Sequence, residues 1–378
     1  MRPSVWLTLL LLGPSCTPSE KDTDTVCDTL LFADADGDGY GDLATSALGC
    51  DGDAGWALHS GDCDDEDPAV HPDANDICNG IDDNCDGATD EGCVSSCGDG
   101  LLEGYESCEL DDDAACPGQC SSFCRCPSLP PGDLELHMID VGQGDAELVV
   151  SPDGFTLLVD GGNSGDESAV LAYLEQQGIP ALDLVLASHL HADHLGGLPG
   201  VLDERPEMAT CYDHGGSYSS SYTTAWRDEA GHKLLSLAEG DTLDLGSSMT
   251  VEVIHGHEQA DNENLNSLVL KLTYGDTTML LGGDCETSGC ESDFDPGPID
   301  VYKVHHHGSS DSSGTQLLEQ MQPTLALIPV GQGNSYGHPD QGTIRRLENA
   351  GAEILRTDQD GDLLVVSDGV GVVWESER

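Results

Sequence analysis

From Leu134 onward, apolar residues fall in short runs broken by turn residues. Leu134 to Val141, Ala146 to Val150 and Thr156 to Val159 read as strands. Ser168 to Gln177 reads as a helix, ended by Gly178 and Pro180. Leu182 to Ala187, apolar except for Asp183, reads as a buried-type strand leading into a histidine-rich stretch. Further strands are predicted at Thr250 to Ile254, Ser267 to Tyr274, Thr277 to Leu281, Val301 to Val304, Leu325 to Val330 and Leu363 to Val366. Helices are predicted over Gln316 to Met321 and Gln341 to Ala350. Strands dominate with helices between them, and residues 134–378 suffice for a sizeable core. The predicted class is α/β, an αββα sandwich.

The stretch before Leu134 has a different texture. Residues 27–93 are rich in Asp, Gly, Asn and Cys and show almost no helical or strand periodicity. A conventional core is not expected there, and disulfides and metal ions must substitute for one. Residues 94–127 form a second cysteine block, and residues 128–133, with Pro130-Pro131-Gly132, read as the linker to the main domain. At the N-terminus, Arg2 precedes the apolar run Val5 to Leu12, which is too short to span a bilayer and fits a signal-peptide core. Gly13-Pro14-Ser15-Cys16 resembles the lipobox of bacterial lipoproteins, although Gly13 stands where that pattern usually has Leu. Residues 1–16 are therefore read as signal peptide and lipobox, with Cys16 lipidated or the segment simply cleaved nearby. Residues 17–26 are a polar tether.

Composition adds the compartment and restricts the partners. The chain carries 72 acidic and 12 basic residues. Residues 1–133 have 30 acidic and 3 basic residues, and the remainder 42 and 9. Neither part offers the basic surface of a nucleic-acid binder, whereas both favour bound cations. Twelve cysteines lie between Cys27 and Cys126, an even set in a loop-rich segment that reads as a disulfide framework in an oxidising compartment. If Cys285 pairs with Cys290, Cys211 is left as the free thiol.

Within the acidic block, Asp34, Asp36, Asp38 and Asp42 alternate with Gly37, Gly39 and Gly41. Carboxylates at every second position can converge on one hard cation. Thr45 stands where an EF-hand loop carries its bidentate Glu, so a repeat lacking that residue is the better analogy. A second cluster includes Asp62 and Asp64, and a third Asp82 and Asp86. Gly61-Asp62-Cys63-Asp64-Asp65-Glu66-Asp67-Pro68 through Asn84-Cys85-Asp86-Gly87, with Asp34 to Asp42, resembles the MopE-type metal-binding repeat of bacterial surface proteins. That resemblance implies copper, with His59, His71 and Trp56 as its support. The oxygen-only ligand set suits calcium better. Cys97-Gly98-Asp99-Gly100 through Cys124-Arg125-Cys126 resembles the cysteine-rich repeats of myxobacterial surface proteins and reads as structural.

Three histidines and an aspartate fall within His189-Leu190-His191-Ala192-Asp193-His194, just after an apolar strand. Alternate residues of a short loop can point His189 and His191 at one metal, while Asp193 and His194 turn to a second. Imidazole and carboxylate suit zinc, and zinc with an open coordination position lowers the pKa of bound water to about 7. Gly282-Gly283-Asp284 follows the strand Thr277 to Leu281, and His305-His306-His307-Gly308-Ser309 follows Val301 to Val304. Together these motifs match the metallo-β-lactamase signature. Their order and flanks, including Asp140-Val141-Gly142-Gln143-Gly144-Asp145 and Tyr336-Gly337-His338-Pro339, resemble the C-terminal domain of the competence protein ComEC.

By that resemblance, two zinc (or manganese) ions are expected, with a hydroxide between them as nucleophile. His189 and His191 hold the first, Asp193 and His194 the second, Asp284 bridges, and His307 or His306 completes the second site. The third ligand of the first site is expected from His255 or His257, with Asn264 or Asn266 as further options. Asp160, ending a strand, is expected to orient ligands from behind. His338 is expected to protonate a leaving group or clamp a phosphate oxygen, the plainer alternative being a turn histidine. Ser217 to Thr224, with Tyr218 and Tyr222, is read as a loop at the site mouth. The implied activity is phosphoryl-ester hydrolysis. The acidity disfavours long DNA, because neutralising phosphates needs Lys and Arg. A small or cell-envelope phosphodiester is favoured, with a phosphorylcholine-esterase-like domain as template. A lactonase or β-lactamase, and a non-catalytic surface metal-binding protein, are the alternatives. An exported monomer is expected.

Overall fold

In the computed structural model of the chain, residues 29–50, 52–65, 67–72, 74, 84–85, 120, 126–127, 129–205, 209–256 and 260–378 are described. Cys16, the tether, nearly all of the second cysteine block, Asp82, Asp86 and His257 lie outside them. The chain divides into two compact units, Met1–Glu106 and Ser107–Arg378.

The first unit contains a three-stranded sheet that the sequence reading did not anticipate. Strands β1 (Thr29–Ala33), β2 (Asp42–Gly49) and β3 (Trp56–Ala57) pair antiparallel in the order β2-β1-β3. The pattern hid them because β2 alternates small and polar residues and leaves Leu43 and Leu48 exposed. The buried apolar residues described in this unit are Leu31, Ala57 and Val70, too few for a conventional core. A disulfide joins Cys63 to Cys85.

The second unit is built from two sheets. Strands β4 (Leu134–Met138), β5 (Glu147–Val150), β6 (Thr156–Val159), β7 (Leu184–Leu186), β8 (Thr210–Asp213) and β9 (Leu234–Ser236) belong to one. The other runs in sequence order through β10 (Thr242–Leu243), β11 (Thr250–His255), β12 (Val269–Tyr274), β13 (Thr277–Leu281), β14 (Val301–Lys303), β15 (Leu325–Ile328) and β16 (Glu353–Arg356). The last strands, β17 (Leu363–Ser367) and β18 (Val372–Ser376), return to the first sheet, where β17 pairs antiparallel with β4. Helices α1 (Glu167–Gln176), α2 (Ala192–Leu195), α3 (Leu198–Glu204), α4 (Ser221–Ala230), α5 (Thr315–Met321), α6 (Gln341–Ala350) and α7 (Thr357–Asp360) connect them.

The strand period sorts side chains into three apolar layers. Leu134, Leu136, Met138, Val149, Leu157 and Val159 of the first sheet meet Val251, Val253, Leu270, Leu272, Met279 and Leu281 of the second in a central core. Leu148 and Leu158 point the other way, onto Val170, Leu174, Val201 and Trp226 of α1, α3 and α4. Leu280, Tyr302 and Ala326 of the second sheet pack on Leu317, Met321 and Leu347 of α5 and α6. The layers are thus helix, sheet, sheet, helix, as predicted.

The Ser217 to Thr224 stretch is only partly a loop. Ser220 caps α4 by accepting the Thr223 amide at 3.0 Å, so the helix begins inside it. Cys285 and Cys290 form a disulfide, and Cys211 is buried outside the disulfides.

Candidate metal centre

The parallel strands β6, β7, β13 and β14 deliver their C-terminal ends to one place, the usual position of a site in sheets of this kind. From β6 comes Asp160; from β7, His189 to His194; from β13, Asp284; from β14, His305 to His307. The β4–β5 turn adds Asp145. The approach is close: a Cβ on Gly144 would lie 2.5 Å from the Asp193 carbonyl oxygen, and one on Gly283 would lie 2.5 Å from Ser188 Oγ. Glycine is required at both positions, and at Gly283 the positive φ adds to the requirement.

Asp284 stands at the centre, with its two oxygens facing different groups. Oδ1 is 3.1 Å from His194 Nε2 and 3.6 Å from His307 Nε2. Oδ2 is 3.9 Å from His189 Nε2 and 3.4 Å from His306 Nε2. His189 Nε2 is in turn 3.1 Å from His191 Nδ1. His307 Nε2 lies 3.5 Å from Asp193 Oδ2. One group is therefore His189, His191 and Asp284, whose ligand atoms lie within 4.8 Å of one another. The other gathers His194 and His307 at the opposite oxygen, with Asp145 beside both rings and Asp193 reached through His307. His194 Nε2, His307 Nε2 and Asp284 Oδ1 are buried without an aligned hydrogen-bond partner. Three converging, unsatisfied ligand atoms are costly unless a cation completes them, so the donor set fits divalent metal.

The surroundings fix these rings from behind. Asp160 Oδ2 accepts from His194 Nδ1 at 2.7 Å, and its other oxygen takes the Ser188 amide at 2.7 Å. His307 Nδ1 contacts Asp145 Oδ1 and the Pro329 carbonyl, each at 3.0 Å. Such contacts set which ring nitrogen is left for a metal. Lys303, fully buried at the end of β14, pairs with Asp145 and donates to the Gly283 carbonyl at 2.7 Å. Glu263 accepts from the Leu190 amide at 2.9 Å and pairs with His214 at 2.8 Å, bracing the motif loop.

Charge follows from this packing. Burial holds His189 well below the usual histidine pKa, and the His194 charge adds to the effect, leaving the neutral ring that metal ligation needs. Burial opposes charge on His194, but Asp284, Asp145 and Asp160 outweigh it and raise that ring well above the usual value. Burial likewise opposes ionisation of Asp284, yet His194 and His307 hold its carboxyl well below the ordinary range. The same carboxylates that raise His194 and His307 would favour a cation among these rings.

Several expectations change on this geometry. His255 is not brought to the cluster: its Nε2 lies 3.2 Å from the Leu265 carbonyl and its ring packs on Phe294. Asn266 is tied to Glu263 at 2.8 Å and Asn264 to Glu286 at 2.8 Å. His306 and His307 were expected as alternatives, and both reach Asp284. Both have left-handed backbone, with φ of 53° and 51°, which turns consecutive rings onto the two oxygens of one carboxylate. His306 lies on the His189 side, not the side expected of it. Asp145, Lys303, Glu263 and His214 were not assigned to the site from sequence. The available signal was Lys303 itself, a charge inside the apolar run Val301 to Val304.

The open side is marked by Asp193, whose side chain is 30% exposed, and His306 at 21%. The Tyr218 ring lies 5.4 Å from His191, and the His338 ring 5.6 Å from His306. Tyr336 stacks on His338 at 5.9 Å.

The metallo-beta-lactamase superfamily model matches residues 139–332, just over half of the chain. The chain belongs to the metallo-beta-lactamase superfamily. Residues 62–91 match the Cu-binding MopE model, a metal-binding motif. ComE operon protein 3 of Bacillus subtilis is 29% identical over 252 residues, covering 61% of this chain and 32% of that protein. Hydroxyacylglutathione hydrolase of Xylella fastidiosa is 28% identical over 193 residues, covering 50% of this chain and 57% of that one. The chain spans about a third of the length of the competence relatives it matches. The crystal structure of the metallo-beta-lactamase fold protein YhfI from Bacillus subtilis aligns with a TM-score of 0.42 at 15% identity, covering 64% of this chain and all of that one. Membership in the superfamily and the His/Asp donor set together support a metal-dependent hydrolase.

Proposed function

We propose that residues 134–378 form a two-metal phosphodiesterase acting on a small or cell-envelope substrate. The observation that carries this reading is Asp284, whose oxygens each face a separate imidazole group. His189, His191 and His306 would hold the first metal and Asp193, His194 and His307 the second. When bound, the pair supplies Lewis acidity for both the attacking and leaving oxygens and lowers the pKa of a water. The chain's own residues do the rest. Asp160 and Asp145 fix the His194 and His307 rings, and Lys303 balances Asp145 so that His307 keeps its aim. Burial, followed by the charges of His306 and His307, lowers the His338 pKa. A neutral His338 at the rim is suited to hydrogen-bonding a phosphate oxygen rather than to donating a proton. Tyr218 and Tyr336 give the mouth a polar aromatic edge. The nine basic residues after Asp133 are too few to grip a long polyanion, so a compact diester is favoured over DNA. The oxidising framework of the first unit and the Cys16 segment support an exported, lipid-anchored location, with the chain acting as a monomer.

The likeness to hydroxyacylglutathione hydrolase favours acyl chemistry as the second reading. A panel of bis(p-nitrophenyl) phosphate, p-nitrophenyl phosphorylcholine, a lactone, a β-lactam and a glutathione thioester separates the two. Phosphodiester turnover that chelation abolishes is expected. Thioester, lactone or β-lactam turnover without phosphodiester turnover would sink the proposal.

A further inference from the structure

The loop after β1 carries Asp34, Asp36 and Asp38, and most of its carboxylate oxygens are spent locally. Asp34 accepts the Gly37 amide at 2.6 Å, Asp36 the Asp38 amide at 3.1 Å and Asp38 the Tyr40 amide at 2.7 Å. The remaining Oδ2 atoms of Asp36 and Asp38 are buried and have no hydrogen-bond partner. Ligand oxygens of the three aspartates lie within 4.8 Å of one another.

Any acidic loop could show that much, and the deciding residue comes from another stretch. Asp62 bridges its backbone to Asp42 and is only 8% exposed. Its Oδ1 accepts the Asp64 amide at 2.9 Å, while its Oδ2 is buried without a partner. The strongest charges acting on Asp62 are Asp38, Asp36 and Asp65, and those acting on Asp36 are Asp38, Asp34 and Asp65. Every one is a carboxylate. Asp65 also accepts the Ala35 amide at 3.0 Å, tying the two stretches together. Buried carboxylates that repel one another and lack an opposite charge are strongly unfavourable.

We propose that Asp34, Asp36, Asp38 and Asp62 hold one hard divalent cation of calcium type, which fastens the β1–β2 loop to the Asp62 stretch. All-oxygen donors select calcium over copper. The two described histidines of this unit, His59 and His71, pack on the Tyr40 ring at 5.5 and 5.1 Å. Asp62 lies within the MopE-type match at residues 62–91, but the Asp34 to Asp38 loop lies outside it. Two further acidic residues named with this block do not join. Asp42 spends both oxygens on Ala44 and Thr45, and Asp64 is exposed. The cation would take over the work that three buried apolar side chains do not do.

The test uses the full chain, zinc-replete, titrated with Ca²⁺ alone by calorimetry. A dissociation constant of about 10⁻⁴–10⁻³ M or tighter is expected, the range of extracellular calcium modules. Asp38→Asn and Asp62→Asn should each weaken the same equivalent at least ~10-fold, and Asp64→Asn should change it less than ~2-fold. Carbodiimide labelling of the wild-type chain provides a readout free of folding effects. Ca²⁺ should protect Asp34, Asp36, Asp38 and Asp62 while leaving Asp64 reactive. Unchanged Asp62 labelling, full calcium binding by Asp62→Asn, or Cu²⁺ uptake with no Ca²⁺ uptake would each overturn the proposal.

Discussion

The two units collect carboxylates in opposite ways. In the hydrolase unit, Asp145, Asp160 and Asp284 are buried among His194, His307 and Lys303, so the protein itself supplies much of the compensating charge. In the first unit, the charges acting most strongly on Asp36 and Asp62 are other carboxylates. The difference follows from the scaffold. Two stacked sheets can bury cationic side chains at their strand ends and hold them there. Among its described residues the first unit buries only three apolar side chains, which form little interior in which to hold one. An imidazole-rich centre can therefore be nearly formed before metal arrives, whereas the all-oxygen cage relies on its cation for charge balance.

The sharpest way to break this comparison is at Asp284. Asp284→Ala should remove at least ~10³-fold of hydrolysis, since several kcal/mol of transition-state stabilisation depend on the metals it joins. It should also lower the zinc content while leaving calcium uptake intact, as measured by elemental analysis of the same sample. Loss of both metals together would mean that the two centres are not independent.

Lys303→Met tests whether internal charge supports the hydrolase unit. It leaves Asp145 buried without its ammonium, a change that costs about 3–5 kcal/mol. The unfolding midpoint of this unit should fall markedly, and an unchanged midpoint would show that Asp145 is compensated in another way. Glu147 sharpens the point. Burial and then the Asp145 charge push its carboxyl well above the usual range, and Asp145 precedes it among the charges that raise Lys303. Lys303 is therefore balanced chiefly by Asp145.

Asp160→Asn should have a smaller effect, about 10–100-fold on zinc affinity or turnover, because it disturbs how His194 is held and not whether it is present. An effect as large as that of Asp284→Ala would make Asp160 a ligand. The smallest effect on metal content is expected from His255→Ala. That ring contacts Leu265 and Phe294, so zinc stoichiometry should be unchanged, while His306→Ala should lower occupancy of the His189 group. The reverse result would restore His255 to the first site. Omitting calcium from a zinc-replete assay should leave turnover within ~2-fold, because the ligands proposed for the hydrolase centre all fall between His189 and His307.

Much of the hydrolase unit was legible before folding. Runs such as Thr156 to Val159 and Gln341 to Ala350 carry their periods openly, and their predicted and observed bounds agree. Elements without a clean period were missed. β1 and β2 are half-exposed, and α4 begins in a run of serines and threonines that reads as loop until Ser220 caps it. The His189–His194 loop and Asp284 were legible because ligand chemistry is written in residue type and spacing.

The partners of those ligands were not legible, for a physical reason. Side-chain direction near a metal is set by local backbone and by contacts between loops far apart in sequence. His306 and His307 occupy left-handed conformations that residue type does not by itself predict, and they reach different oxygens of Asp284. His255 looked suitable by spacing, but the end of β11 aims it at Leu265. In the first unit, sequence placed Asp34, Asp36, Asp38 and Asp42 in one loop by spacing and Asp62 with Asp64 in a second cluster. The fold then turned Asp42 onto its own strand, exposed Asp64 and buried Asp62. Sequence by itself thus determined the class of fold and the kinds of ligand. Tertiary structure decided which atoms meet, because only packing fixes direction and removes water.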